Sequence, residues 1–177
     1  MTHRSPLQPA PADYHEYYSR YVDGVPDGDV VEHLRAQREE LLALVESVPA
    51  DRRGYRYADG KWTIEEVLGH VVDTERAFAY RIMCFVRGMA DVEQPGIDQD
   101  VMVPASGATE RGLESIAHEF DALRRANLEL FETLDDDALS IRGRASGTGF
   151  TVRSVLYIVH GHAAHHAGVV RERYLAS

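Results

Sequence analysis

Cysteine is almost absent: Cys84 stands alone among 177 residues. That excludes an internal disulfide framework and any Cys-rich zinc module, so a metal site in this chain has to be assembled from histidines and carboxylates. Long apolar runs are lacking as well. No stretch approaches the roughly 18 uninterrupted apolar residues of a membrane span, and the start MTHRSPLQPAPADY has no apolar central run of a signal peptide. The chain therefore reads as cytoplasmic, with no membrane partner. Positive charge is in short supply, 19 Lys and Arg against 29 Asp and Glu for a net charge of -10. That balance repels phosphate backbones and argues against a nucleic-acid partner. Also missing are a His-Glu-x-x-His helix, a P-loop, a nucleophile elbow and a dinucleotide glycine fingerprint, which removes the enzyme classes those motifs define.

What is present is 44% hydrophobic content, enough for one domain to bury a core unaided. Residues 1–28 carry four of the seven prolines, Pro6, Pro9, Pro11 and Pro26, and read as a partly ordered N-terminal extension with one short helix. Residues 29–177 read as a single helical domain. Its first helix shows apolar residues at Val30, Leu34, Leu41, Leu44 and Val48 and ends at Pro49. Thr63 with Glu66 three residues on makes a capping box that opens a second helix running to about Gly88. Residues 89–109, with Pro95, Gly96, Pro104 and Gly107, lack periodicity and form a long connection of the kind that can cover a site. A third helix spans about 112–134, a polar Gly-rich stretch follows, and Thr151 opens a fourth. No run reads as a strand, although residues 101–103 (VMV) could extend locally. The expected architecture is all-α, a four-helix bundle with a long crossover connection.

Nine histidines occur, four of them within HGHAAHH at 160–166. At about 100° per residue, Val152, Val155, Val159, Val169 and Val170 define an apolar stripe that also contains His162 and His166. His165 lies about a quarter-turn away and His160 near the opposite face. On the second helix, His70 falls on the buried arc marked by Val67, Val71, Thr74, Phe78 and Ile82. A lone histidine on an apolar face is ordinarily a hydrogen-bonded core residue, and His70 alone would be read that way. Two inward imidazoles at i and i+4 are harder to leave uncoordinated: charged they repel, and neutral each still needs polar partners. With His70 they read as ligands of one divalent transition metal. Three neutral imidazoles leave a coordination position open to water or substrate, and they suit zinc, nickel, copper or iron alike. Asp73 and Glu75 beside Arg76 read as solvated ion pairs, Tyr157 as packing and Cys84 as a small buried hydrophobe. Arg142, Arg144 and Arg153 read as solvated surface, or as a small basic patch facing an anion.

Two segments carry a resemblance. WTIEEVLGHVVDTER at 62–76 and HAAHHAG at 162–168 resemble the second-helix start and the C-terminal His-x-x-His-His motif of the DinB-like (DinB/YfiT) superfamily of bacterial metal-binding four-helix bundles. The first and last histidines of that motif bind metal, which the resemblance carries over to His162 and His166, and the family's second-helix ligand to His70. It further implies zinc or nickel, and a homodimer. Family members join low-molecular-weight thiols such as bacillithiol or mycothiol to electrophiles, isomerise substrates with a thiol's help, or carry metal-dependent hydrolase assignments. Each chemistry needs a Lewis acid with an open position. The leading expectation is a metal-dependent thiol S-transferase of detoxification or stress response, with a small-molecule thiol and an electrophile as partners. A metal-dependent hydrolase and a non-catalytic metal or stress-ligand binding module stay open, the latter marked by a fourth protein ligand, for instance from the 89–109 connection.

Overall fold

Capping chemistry sets where the long helices begin. In the computed structural model, which describes residues 7–176, Asp29 Oδ1 accepts from the Val31 N–H at 2.9 Å. Thr63 Oγ1 accepts from the Glu66 N–H at 3.1 Å, and the Glu66 carboxylate accepts in return from the Thr63 N–H at 2.7 Å. Thr151 Oγ1 accepts from the Ser154 N–H at 3.1 Å. Each side chain satisfies a donor that the first helical turn leaves free. The helices are α1 (Ser19–Val22), α2 (Val30–Glu46), α3 (Ile64–Cys84), α4 (Gln99–Ala105), α5 (Ala108–Arg111), α6 (Leu113–Phe131), α7 (Asp136–Ser140) and α8 (Val152–Val169). α3 and α8 each run on into a wider π-type turn, Phe85–Met89 and Val170–Leu175.

α2, α3, α6 and α8 make the bundle. α6 and α8 each pack against both α2 and α3, so the order around the bundle is α2, α6, α3, α8, and the successive helices α2 and α3 sit diagonally. The long connection after α3 carries α4 and α5, which pack back onto α3. Residues 101–103, read as locally extended, are helical within α4, whose start Asp98 caps by accepting from the Asp100 N–H at 3.0 Å. A small antiparallel hairpin, β1 (Arg142–Ala145) and β2 (Thr148–Thr151), pairs Arg142 with Thr151 and Ala145 with Thr148. It corrects the expectation that no strand would form. Its edge is held by the connection, through Gln94 N to Arg144 O at 3.0 Å and Ser146 N to Gln94 O at 3.1 Å.

Residues 1–6, part of the expected extension, lie outside the described residues. From Leu7 onward the segment packs on the bundle, with Tyr14, Tyr21, Val22 and Val25 buried in the same cluster as Val155, Leu156 and Val159. Gly161 makes this approach possible: a Cβ there would overlap the Tyr21 carbonyl, so only glycine lets α1 lie against α8.

The core is two apolar clusters with a polar layer between them. One holds Val31, Leu34, Phe78, Ile82, Phe131 and Val155; the other holds Leu41, Val67, Val71, Ile116, Ala163 and Val170. In the layer, Arg124 of α6, 0% exposed, donates to Glu75 of α3 through Nε at 2.8 Å and Nη2 at 2.7 Å. It also donates to the Leu34 carbonyl of α2 at 2.8 Å. Gln37 accepts from Arg124 at 3.3 Å and donates to the His160 carbonyl of α8 at 2.8 Å. Glu75 is therefore not the solvated partner of Arg76 expected from the sequence, while Asp73 does pair with Arg76, at 3.3 Å. Removing one member of a buried ion pair strands the other's charge. Glu75→Ala should lower the unfolding free energy by roughly 3–5 kcal/mol, and Glu39→Ala, at an exposed site, by under about 1 kcal/mol, both read by urea denaturation of the purified variants.

Candidate metal centre

The polar layer continues into the three histidines. α3 delivers His70, and α8 delivers His162 and His166 from adjacent turns of the face that packs on α3. His70 and His162 are each 7% exposed and His166 is half-buried. Their Nε2 atoms, His70 to His162, stand 3.0 Å apart. One ligand nitrogen from each of the three lies within 4.8 Å of the other two. The ring centroids are 4.5 Å apart for His162 and His166, 4.9 Å for His70 and His162, and 5.0 Å for His70 and His166.

These residues fit a metal on two grounds. The Nδ1 of His166 is buried with no hydrogen-bond partner, and a buried polar nitrogen left so is costly. The other ground is spacing: nitrogens bound at about 2.0–2.1 Å to one tetrahedral ion lie roughly 3.3 Å from each other, close to the His70–His162 separation. Thr74 Oγ1 sits 3.4 Å from His70 Nδ1, on the side that leaves Nε2 as the nitrogen offered to the centre, the usual way an outer partner orients a ligand imidazole. Trp62 packs on the His70 ring at 5.0 Å and Tyr21 edge-on to His162 at 5.4 Å. Among the described residues no carboxylate or fourth imidazole joins the group of three.

Burial keeps the three imidazoles neutral, with lone pairs free for a cation. It pushes His70 down to about 4. His166 falls to about 3 through burial and then the neighbouring His70 and His165. His162 is lowered well below the ordinary value by burial and then His166 and His70. His160 faces elsewhere: its ring lies 5.9 Å from His33, and burial lowers it to about 4. His165 is exposed. As expected, neither joins the group.

Two clefts reach the centre. One, of about 190 Å³, is bordered by His70, His162, Thr74, Tyr17, Tyr18, Tyr21, Phe78 and Arg81. The other, of about 300 Å³, is bordered by His166, Trp62, Tyr57, Asp100 and Tyr174. Sequence reasoning passed over Arg81, Trp62 and Tyr21. Arg81 was detectable, because it follows His70 by 11 residues, about three full turns, and so shares its helix face. Tyr157 and Cys84 are buried in the core as read. Arg142, Arg144 and Arg153 are paired with Asp13 at 2.7 Å, Glu93 at 3.2 Å and Asp136 at 2.7 Å, so no open basic patch forms.

The depressed histidines fix a pH dependence for the metal-free protein. Unfolding restores their ordinary affinity for protons, so below about pH 6.5 the unfolded chain binds more of them. The stability they contribute is full above that value and is lost as the pH falls toward about 4, the His70 shift alone corresponding to roughly 3 kcal/mol. Urea midpoints measured on chelator-treated, dialysed protein should therefore drop steadily over this range, the fall beginning well above the pH at which ordinary carboxylates protonate.

Comparison with known proteins agrees with the fold. None of the curated proteins compared matches the chain significantly. Among solved structures, the fold is similar to that of YfiT from Bacillus subtilis, described as a probable metal-dependent hydrolase with an unusual four-helix bundle topology. The TM-score is 0.73 at 16% sequence identity, over 94% of this chain and 90% of that one. The DinB superfamily model matches residues 33–170, a span holding most of α2, the other three bundle helices and all three histidines, and on that match the chain belongs to the DinB superfamily.

Proposed function

We propose that this protein is a metal-dependent S-transferase. It holds one zinc or nickel ion on His70, His162 and His166 and joins a small-molecule thiol to an electrophile in detoxification or stress response. The observation that carries the reading is the pair of clefts, one bordered by His70 and His162 and the other by His166. A centre reached from two cavities has room for two organic reactants, whereas hydrolysis needs room for one and a water. When bound, the ion would act as a Lewis acid that lowers the pKa of a thiol or water and supplies a nucleophile near neutral pH. The chain's own part is positional. Three buried neutral imidazoles present their lone pairs, Thr74 orients His70, and Trp62 and Tyr21 hold the His70 and His162 rings in place. In the transfer, sulfur bonds to the electrophilic carbon as the leaving group departs with its electron pair, and the thiol proton passes to solvent.

Hydrolysis is the second reading, supported by the description of the fold neighbour YfiT as a probable metal-dependent hydrolase. Metal analysis and paired assays on the purified protein and on His166→Ala separate the readings. The expected outcome is about one ion per chain, thiol-dependent consumption of an aryl halide, and loss of both in His166→Ala with helical circular dichroism retained. Thiol-independent cleavage of an activated ester would favour the hydrolase. Bound metal without either turnover would favour a binding module, and no metal uptake from zinc or nickel would refute the proposal.

A further inference from the structure

The cleft beside His70 and His162 contains a cation that the fold does not neutralise. Arg81 is 2% exposed and borders that cleft. No carboxylate lies within 4.0 Å of its guanidinium among the described residues; the acid that acts on it from further off, Glu93, is engaged with Arg144 at 3.2 Å and the Gly147 N–H at 2.6 Å. The partners Arg81 does have are neutral. Nη2 donates to the Pro95 carbonyl at 2.9 Å and to Ser146 Oγ at 3.1 Å, the guanidinium lies 4.8 Å from the Phe78 ring centroid, and the neutral Tyr18 hydroxyl lies within hydrogen-bonding reach of the same group. Nε and Nη1 have no carbonyl or carboxylate acceptor among the described residues. A buried charge without a counter-charge is among the costlier features a protein can carry, and the contrast with Arg124, equally buried but bound twice by Glu75, is direct.

Position gives the feature a use. Arg81 shares the α3 face of His70, Thr74 and Phe78, and its Cα lies about 16 Å further along the helix axis. Helical side chains lean toward the N-terminus, which tips the guanidinium back along the cleft toward the histidines. Between the two ends the walls are aromatic: Tyr17, Tyr18, Tyr21 and Phe78, with Ile97. We propose that Arg81 is an anchor for the carboxylate of an elongated organic substrate whose apolar body lies along the tyrosines and whose far end reaches the three-histidine centre. One planar guanidinium, held only by neutral partners, matches a carboxylate fork. A phosphate dianion would call for more than one cation, and this cleft contains no second Arg or Lys. Assigning the anion to a substrate rests on the proposed function; the anion site itself does not require metal.

The test uses the full chain, first metal-free and dialysed clear of chelator, then zinc-loaded, titrated with phenylacetate and with its uncharged counterpart phenylacetamide. The readouts are calorimetry and the Arg81 Nε–H resonance, identified by its disappearance in Arg81→Lys. The expected result is that phenylacetate, and not phenylacetamide, moves that resonance in metal-free wild type. Binding should weaken at least tenfold in Arg81→Gln and less in Arg81→Lys. An unmoved resonance would overturn the proposal without recourse to any variant, which keeps the test valid should Arg81→Gln fail to fold. Binding that appears only with zinc and is equal in Arg81→Gln would also overturn it, placing the anion on the metal. Failure of the metal reading would appear separately, as absence of zinc uptake beside an intact phenylacetate response.

Discussion

Four helices meet at one buried guanidinium. Arg124 reaches from α6 to Glu75 on α3 and to Leu34 and Gln37 on α2, and Gln37 passes the link to the backbone of α8 at His160. Since α2 and α3 are diagonal, they have little direct contact through which to set their relative height; the polar layer does it instead. Glu75 is five residues from His70, and His160 is two residues from His162. The hydrogen bonds that fix the layer therefore fix, within about a turn of helix, the height at which the α3 and α8 imidazoles face each other. A buried ion pair adds little net stability relative to apolar packing, so its evident contribution here is registration.

With that register set, the candidate metal centre follows from burial. Two apolar clusters close over the layer from both ends, and desolvation removes the protons from the three imidazoles. Neutral histidines packed so closely need either hydrogen-bond partners or a shared cation, and the unpartnered Nδ1 of His166 shows that the fold does not supply all of the former. The clefts on either side then decide what can reach the centre, and the one running along α3 places a buried cation, Arg81, at its far end.

Much of this was legible in the sequence because the signals are local. Asp29, Thr63 with Glu66, and Thr151 mark helix starts by chemistry that acts over three residues, and the 3.6-residue period places His70, His162 and His166 on inward faces. What escaped is long-range or weakly patterned. Arg124 sits beside Arg125 in a charged run that looks solvated, and its partner Glu75 lies 49 residues away. The hairpin at 142–151 starts with Arg-Gly-Arg-Ala, which has no β-branched residue to betray a strand, and it is held by Gln94 from a distant connection. α4 was hidden by Pro104, which lies inside it and deprives it of a backbone hydrogen bond. Arg81 could be placed on the His70 face by helical spacing, but its lack of a counter-charge is revealed only by the folded surroundings.

The most direct test of the central claim, that the polar layer brings three imidazoles from two helices to bear on one ion, is X-ray absorption spectroscopy of the zinc-loaded protein at neutral pH. The account predicts three imidazole nitrogens at about 2.0–2.1 Å with a further light-atom ligand completing the shell. A shell containing sulfur, or one made of oxygen with fewer than three imidazoles, would contradict it.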